Sequence, residues 1–314
     1  MEQDKILFIV NPVAGGGKAL KVWTKNIYSI LEKKKISFDY LFTQKPYDGF
    51  NLAMEGIKKG YKKLISVGGD GTVNEIVNAI MLQDIIDPIE ISIGSIGSGS
   101  GNDWGKSVGI PANYEEAVSN LRKDNFILQD VGKVSYIQTG VEKTRYFVNV
   151  AGMGFDAEVT YKANKSKKRL FGKLSYSLNL LSTLISFKDP YVEIKIDGEK
   201  VYANQALTLN VGICRYSGGG MMFTPKAKYD DGLFDVTVVD KISVGTILAN
   251  LRKIYDGSFI NHEAVKTFRG KSIEITSKEK LYLETDGESL GHSPLYFETL
   301  PQRLKVLSGL SIEH

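Results

Sequence analysis

Residues 64–80, LISVGGDGTVNEIVNAI, leave an apolar run through Gly68-Gly69-Asp70-Gly71 and enter a segment carrying Thr72, Asn74 and Glu75. Residues 64–67 read as a strand and 72–82 as a helix. A plain connection between the two needs one glycine at most. Three glycines around a lone carboxylate describe a backbone that must approach a ligand closely, with one charge held beside it.

Outward from this stretch, the first 125 or so residues alternate strand and helix signals. Lys5–Val10, 36–43 and 89–96 read as strands, and 19–34, 48–60 and 113–123 as helices. This alternation predicts βαβ units in a largely parallel sheet, which binds ligands at the carboxyl ends of its strands. Beyond about residue 126 the texture changes. RYFVNVAG (145–152), YVEIKI (191–196), KVYANQALTLNVGI (200–213) and LFDVTVVD (233–240) alternate apolar and polar residues or are β-branched, and Asp197-Gly198 is a hairpin-turn signal. Further strands are expected at 271–276, 281–285, 293–297 and 303–307, with helical insertions at about 155–187 and 243–255. This second half is expected to be mainly antiparallel β.

The bulk numbers agree with two domains in a chain of 314 residues. Hydrophobic content of 42% and charged content of 24% are those of an ordinary globular protein. The net charge of +4 permits anionic partners without demanding them, and no nucleic-acid partner is expected. The single cysteine, Cys214, excludes an internal disulfide and a cysteine-rich zinc site and fits a reducing, cytoplasmic compartment. MEQDKILFIVNP does not read as a signal peptide, and the nearest approach to a membrane span, 170–187, is broken by serines, a lysine and an asparagine.

Three glycine-rich loops follow strands in the first half: Asn11-Pro-Val-Ala-Gly-Gly-Gly-Lys18, Gly68-Gly-Asp-Gly-Thr72 and Gly97-Ser-Gly-Ser-Gly-Asn-Asp103. At a strand-to-helix junction, backbone N–H groups and the helix N-terminus can hold phosphate. Two familiar phosphate motifs fail on spacing. A Walker A loop ending at Gly17-Lys18 would need glycine where Pro12 stands and Ser or Thr where Ala19 stands. A dinucleotide fingerprint begun at Gly97 or Gly99 would need glycine where Asn102 or Trp104 stands.

The N-P-x-A-G-G-G-K loop, GGDGTVNE, G-S-G-N-D-W with S-V-G-I-P (107–111), and T-D-G-E (285–288) together resemble the diacylglycerol kinase catalytic family. That family includes bacterial lipid kinases and sphingosine kinases and is distantly similar to NAD kinases. The resemblance runs in order over nearly the whole chain. It implies an α/β ATP-binding domain over 1–128 and a β-sandwich lipid-substrate domain over 129–297, with a tail of about 298–314 packing back on the first. The implied active site lies in the cleft between them, with ATP as phosphate donor and Mg²⁺ as cofactor.

Carried over residue by residue, the resemblance makes Asn11, Pro12, Gly15, Gly16, Lys18, Thr43, Gly69, Asp70, Gly71, Thr72, Asn74, Glu75, Ser100 and Asn102 the nucleotide-handling set. Ser100 stands where many relatives have threonine. Asp70 or Thr72 also fits a plain helix cap, and Thr43 a plain strand end. Glu288 matches the carboxylate that bacterial relatives use as general base. Asp70 competes for that role by analogy with animal relatives; the favoured division makes Glu288 the base and Asp70 the organiser of magnesium and its waters. Asp286-Gly287 beside it also reads simply as a turn. Asp130 matches a third, cleft-facing acid, or a turn residue. A second, structural Mg²⁺ is implied at the Lys228 and Leu233 carbonyls and the Asp231 side chain, in a stretch that equally reads as a solvated turn.

For the acceptor, Lys162, Lys165, Lys167, Lys168, Arg169 and Lys173 precede a helix with Leu170, Leu174, Leu178, Leu181 and Ile185 on one face. A basic cluster beside an apolar face fits peripheral contact with anionic lipid, as well as a helix packed on the sandwich. Diacylglycerol is the first acceptor expected, with sphingoid bases, other glycerolipids, polyprenols or NAD as alternatives. A non-catalytic nucleotide or lipid sensor is the reading from another class. A homodimer is compatible with all of these.

Overall fold

The computed structural model describes residues 5–97, 102–122, 125–165, 184 and 186–309. The N-terminal half is built from β1 (Ile6–Val10), α1 (Ala14–Val22), a π-helical turn, α2 (Tyr28–Lys33), β2 (Phe38–Phe42), α3 (Asp48–Lys58), β3 (Lys63–Gly68), α4 (Asp70–Leu82) and β4 (Ser92–Gly97). The short helices α5 (Asp103–Ser107) and α6 (Tyr114–Asn120) close it. β2, β1, β3 and β4 are parallel neighbours in that order. Both faces of this sheet are covered, which explains the near-continuous apolar strands. On β1, Ile6, Phe8 and Val10 pack against Trp23, Ile27 and Leu31, while Leu7 and Ile9 pack with Ala53, Ile57, Val73 and Ile76.

The C-terminal half contains β5 (Phe126–Gln138), β6 (Val141–Phe147), β7 (Val150–Gly154), α7 (Phe155–Lys165), β8 (Tyr191–Ile196) and β9 (Glu199–Gly212). It continues with β10 (Phe234–Asp240), α8 (Val244–Asp256), β11 (Val265–Gly270), β12 (Ser272–Ser277), β13 (Tyr282–Thr285) and β14 (Glu288–Leu307). The pairings here are antiparallel, as in β9–β7–β13–β14 and in β8–β12–β14. Two long strands join the halves. β5 and β14 run antiparallel from Ile137↔His292 to Phe126↔Leu307, and at its far end β14 also lies parallel to β4 through Lys305↔Ser92 and Val306↔Ile93. The last strand thus returns to the first sheet, and one apolar cluster continues from Leu64 and Val73 to Phe147, Phe234 and Phe297.

The helix expected from 19 stands: Gly15, Gly16 and Gly17 are left-handed (φ 60, 69 and 87°), so they form the phosphate-type loop and a kink, and regular helix runs only from Lys18. Two expectations shift. The strands expected at 293–297 and 303–307 are one bulged strand, β14, because β5 offers it a partner along the whole length. RYFVNVAG is two strands, not one: it breaks between Phe147 and Val150, where the backbone N–H groups of Val148, Asn149 and Val150 turn to the Asp286 carboxylate at 3.1, 3.0 and 3.2 Å.

Candidate active site

The first two glycine loops, with Gly97 and Asn102 flanking the third, sit at the carboxyl ends of β1, β3 and β4. Asn11, just past β1, donates from Nδ2 to Thr72 Oγ1 at 3.3 Å, and its backbone N–H bonds the Val67 carbonyl of β3 at 2.9 Å. The first two loops are therefore tied together. Gly68 must be glycine: a Cβ there would sit 2.7 Å from Thr72 Oγ1. In the third loop the Asn102 side chain folds against Gly97 and Gly105, where added Cβ atoms would come within 2.8 and 2.5 Å of it. Trp104 is buried and donates to Gln129 Oε1 at 2.9 Å, which anchors this loop to β5. Lys18 is exposed and Thr43 is buried at the end of β2. Ser100 and the segment 166–183 lie outside the described residues.

Asp70 opens α4, at the positive end of the helix. Its carboxyl is largely buried, and Oδ1 has no hydrogen-bond partner. Burial, then the nearby charges of Asp103 and Asp286, push its pKa up to about 7, against the backbone N–H groups of Asp103 and Trp104, which pull it down. A buried, unpartnered carboxylate oxygen is unusual enough to need an occupant. Mg²⁺ is held by one or two carboxylates plus substrate phosphates rather than by a complete protein cage. Asp70 fits that description, and among the described residues there is no preformed cluster of three or more metal-ligating side chains.

The second half of the site arrives on the β13–β14 turn. Asp286 and Gly287 both have positive φ (50 and 84°), the geometry of a tight hairpin turn that Asp-Gly favours. This turn presents Glu288 to the GGDG loop: a Cβ on Gly71 would lie 2.9 Å from Glu288 Oε1. Asp286 is the hub rather than a mere turn residue. Besides the three amides at the β6–β7 break, it accepts from Asn74 Nδ2 on α4 at 2.7 Å. Burial raises its pKa, opposed by those donors.

Several expected nucleotide residues are engaged within the protein. Asn74 is fully buried; it bridges Asp286 and the Tyr146 carbonyl and accepts from Arg145 Nη2 at 2.5 Å. Glu75 accepts from the Tyr47 and Gly49 amides at 3.0 and 2.8 Å and so holds the N-terminus of α3. Asp130 does not stand as a free cleft acid. It is fully buried, with Oδ1 taken by the Gln302 amide at 2.7 Å and Oδ2 by the Gly232 amide at 2.6 Å. These bonds brace β5 against the loop at Gly232 and the bulge of β14. Sequence reasoning passed over Arg145, Asp156, Glu284 and the hub role of Asp286; only the last had a signal, its place inside T-D-G-E.

Of the residues expected to hold a structural Mg²⁺, the Asp231 carboxylate is already engaged within the protein. Asp231 Oδ2 lies 2.5 Å from Arg269 Nη2, and its Oδ1 accepts from the Leu233 amide at 3.2 Å. Arg269 Nε also reaches Asp235 Oδ2 at 3.0 Å. A guanidinium already supplies the positive charge that the cation would bring.

The arrangement finds its likeness in known proteins. Residues 5–134 match the diacylglycerol kinase catalytic domain, and 149–308 match the YegS C-terminal NAD kinase beta sandwich-like domain. The chain belongs to the diacylglycerol kinase family. A diacylglycerol kinase of Staphylococcus carnosus is 28% identical over 306 residues, 98% of this chain and 95% of that one. One from Staphylococcus aureus is 29% identical over 278 residues, 88% of this chain and 84% of that one. A crystal structure of a diacylglycerol kinase from Bacillus anthracis superposes with a TM-score of 0.71 at 26% identity, covering 98% of each chain. An Archaeoglobus fulgidus NAD kinase in complex with ATP shares the fold (TM-score 0.50, 15% identity, 97% of this chain and 93% of that one). The α/β-plus-β-sandwich architecture and the kinase family expected from the motifs are thus borne out. As a member of a nucleotide-using kinase family, the protein is a diacylglycerol kinase-family lipid kinase.

Proposed function

We propose that this kinase transfers the γ-phosphoryl group of ATP to the free hydroxyl of diacylglycerol, with Mg²⁺, to give phosphatidic acid. The observation that carries the reading is the approach of Glu288 Oε1 to Gly71, which sets a carboxylate against the loop that opens α4 beside Asp70. Phosphoryl transfer asks little covalent work of a protein; positioning and electrostatics do most of it. The left-handed turn Gly15–Gly17 and the start of α4 supply backbone donors for phosphate oxygens. Asp70, whose Oδ1 is unpartnered, would hold the cation or its waters. Bound there, Mg²⁺ would neutralise charge on the phosphate oxygens.

Glu288 takes the hydroxyl proton as the acceptor oxygen bonds to the γ-phosphorus and the bond to the bridging oxygen of ADP breaks. Asn74, Glu75, Asp130 and Asp286 hold these groups in place. Under this reading 1–128 handles the nucleotide and 129–297 the acceptor, with 298–314 returning to the first. The return of β14 to β4 supports the division. Peripheral contact with lipid is supported by α8, whose Leu248, Leu251 and Tyr255 are exposed beside Arg252 and Lys253. No helix among the described residues is long and apolar enough to cross a membrane.

The test is transfer of labelled γ-phosphate from ATP to 1,2-diacylglycerol in mixed micelles, with a total lipid extract in parallel. Glu288→Gln should lower kcat by ~10²–10⁴, the usual worth of a positioned base, and leave ATP binding intact. Failure of the wild type to label any lipid would overturn the acceptor assignment. Wild-type kcat in Glu288→Gln would move the base role to Asp70.

A further inference from the structure

Gly71, Asn74, Glu75 and Asn78 recur at helical spacing and share the face of α4 that looks toward the second half. Glu288 sits over Gly71, and Asp286 takes the Asn74 amide. β6 closes over the same face, where its Tyr146 carbonyl accepts from Asn74 and Asn78 at 3.2 and 2.9 Å. Arg145 precedes Tyr146 on that strand and donates from Nη2 to Asn74 Oδ1 at 2.5 Å. The residue it bonds is thus three positions, about 4.5 Å of helix rise, from the one that Glu288 covers.

The surroundings are acidic. Beyond burial, the charges of Asp103 and Asp286 act on Asp70, and burial followed by Asp156, Asp286 and Glu288 pushes the Glu284 carboxyl up to about 8. Burial raises the pKa of Glu75 and its two amide donors lower it; after these it feels Glu288, which raises it, and Arg145, which lowers it. With so many carboxylates at hand, an arginine placed for structure alone would pair with one. Among the described residues Arg145 forms no ion pair. Both oxygens of Glu75 are taken by the Tyr47 and Gly49 amides, and both oxygens of Asp286 by four donors. Nor does Asn74 depend on Arg145, because its Oδ1 also accepts from Asn78 Nδ2 at 3.1 Å. Within the half-buried guanidinium, Nε is sealed off without a partner, whereas Nη1, also without one, keeps accessible surface. A partly desolvated cation lacking a counter-charge is costly and suits an anion that arrives with the substrates.

We propose that Arg145 is a further catalytic residue, whose guanidinium donates from Nη1 to a non-bridging oxygen of the γ-phosphoryl group as that group passes to the acceptor. The inference rests on the kinase reading above and adds to it a cation on the Glu288 side of the cleft. As the acceptor oxygen bonds to the γ-phosphorus and the bond to the bridging oxygen of ADP breaks, the hydroxyl proton goes to Glu288. Negative charge meanwhile spreads over the non-bridging oxygens. Arg145 gives up no proton; it offsets that charge amid carboxylates that would otherwise repel it. The bond to Asn74 orients the guanidinium before the substrates arrive, so little reorganisation is left for the reaction. A planar fork meets phosphate oxygens in a way that a lysine ammonium does not.

The experiment compares wild type, Arg145→Ala and Arg145→Lys in transfer of labelled γ-phosphate from ATP to 1,2-dioctanoylglycerol in mixed micelles, with and without millimolar guanidinium chloride. Calorimetry follows, in parallel, the binding of ADP with Mg²⁺, alone and with aluminium fluoride as a mimic of the transferred group. Arg145→Ala should lose ~10²–10³-fold in kcat, with KM for ATP and for the acceptor within about threefold of wild type. Arg145→Lys should stay at least ~10-fold below wild type. Guanidinium should restore part of kcat to Arg145→Ala, saturably, and leave the wild type unchanged, which a merely structural role would not produce. All three proteins should bind ADP alike, and aluminium fluoride should tighten it on the wild type but not on Arg145→Ala. Wild-type kcat in Arg145→Ala would overturn the proposal. So would undiminished tightening by fluoride in that variant, or a loss expressed only as a higher KM for the acceptor, which would make Arg145 a headgroup contact. If the wild type labels no lipid, the acceptor reading falls, and the fluoride measurement, which needs no acceptor, still decides Arg145.

Discussion

Replacing Asp286 by asparagine tests whether this carboxylate is the knot between the two halves. The substitution keeps shape and tolerates the positive φ of 50°, since Asn-Gly suits the same turn as Asp-Gly, so the backbone is not disturbed. What changes is acceptor capacity. Oδ1 receives the Asn149 and Val150 amides, and Oδ2 receives the Val148 amide and Asn74 Nδ2. An amide side chain can offer oxygen to only one of these pairs, and its NH₂ must then face two buried donors. Each orphaned donor costs ~1–3 kcal/mol, for a total of about 2–6 kcal/mol. Removing a carboxyl whose pKa is raised by burial returns part of that, leaving a net loss of ~2–4 kcal/mol. Against a typical total stability of ~5–15 kcal/mol this is a large fraction. Urea unfolding at pH 7, followed by circular dichroism and by the fluorescence of Trp23 and Trp104, measures it; both tryptophans lie in the first half, so parallel transitions would also show that the halves unfold together. Asp286→Ala, which abandons all four donors, should be worse still. A stability of Asp286→Asn within about 0.5 kcal/mol of wild type would refute the reasoning, because it would mean that the four bonds do not depend on an acceptor-only group.

Three further outcomes are expected. Gly71→Ala places a methyl 2.9 Å from Glu288 Oε1 and should lower kcat ~10-fold with KM for ATP little altered; unchanged steady-state kinetics would separate Glu288 from this loop. Glu284 has a folded pKa of about 8, above its unfolded value, so its contribution to stability is full below the unfolded value and is lost as pH rises toward 8. Glu284→Gln should flatten the fall in stability between about pH 5 and 8, gaining up to ~4 kcal/mol over wild type at the upper end, and an unaltered pH slope in urea unfolding would contradict it. Because Arg269 already pairs with Asp231 and Asp235, titrating nucleotide-free protein with Mg²⁺ should give the same thermal response in wild type and Asp231→Asn. A saturable rise in Tm that Asp231→Asn abolishes would restore the cation to that turn.

The chain by itself determined the family, the α/β half and most element positions, because these are written in local terms: apolar period, turn residues, and glycines where a backbone must bend or approach a ligand. GGDG and T-D-G-E each read as chemistry, but their meeting across residues 71 and 288 is long-range and invisible in either segment. The same limit hid the fate of Asn74, Glu75 and Asp130. Their motif positions suggest ligand contact, yet tertiary partners claim them: Asp286, the start of α3, and a loop and a strand bulge 102 and 172 residues away. Arg145, Asp156 and Glu284 carried no local signal at all. An arginine within a strand, an aspartate after one and a glutamate near a turn are ordinary residues singly, and only tertiary packing gathers them into one charged cluster. Sequence periodicity encodes which face of an element is buried; which buried polar groups meet is decided by register and packing between distant elements.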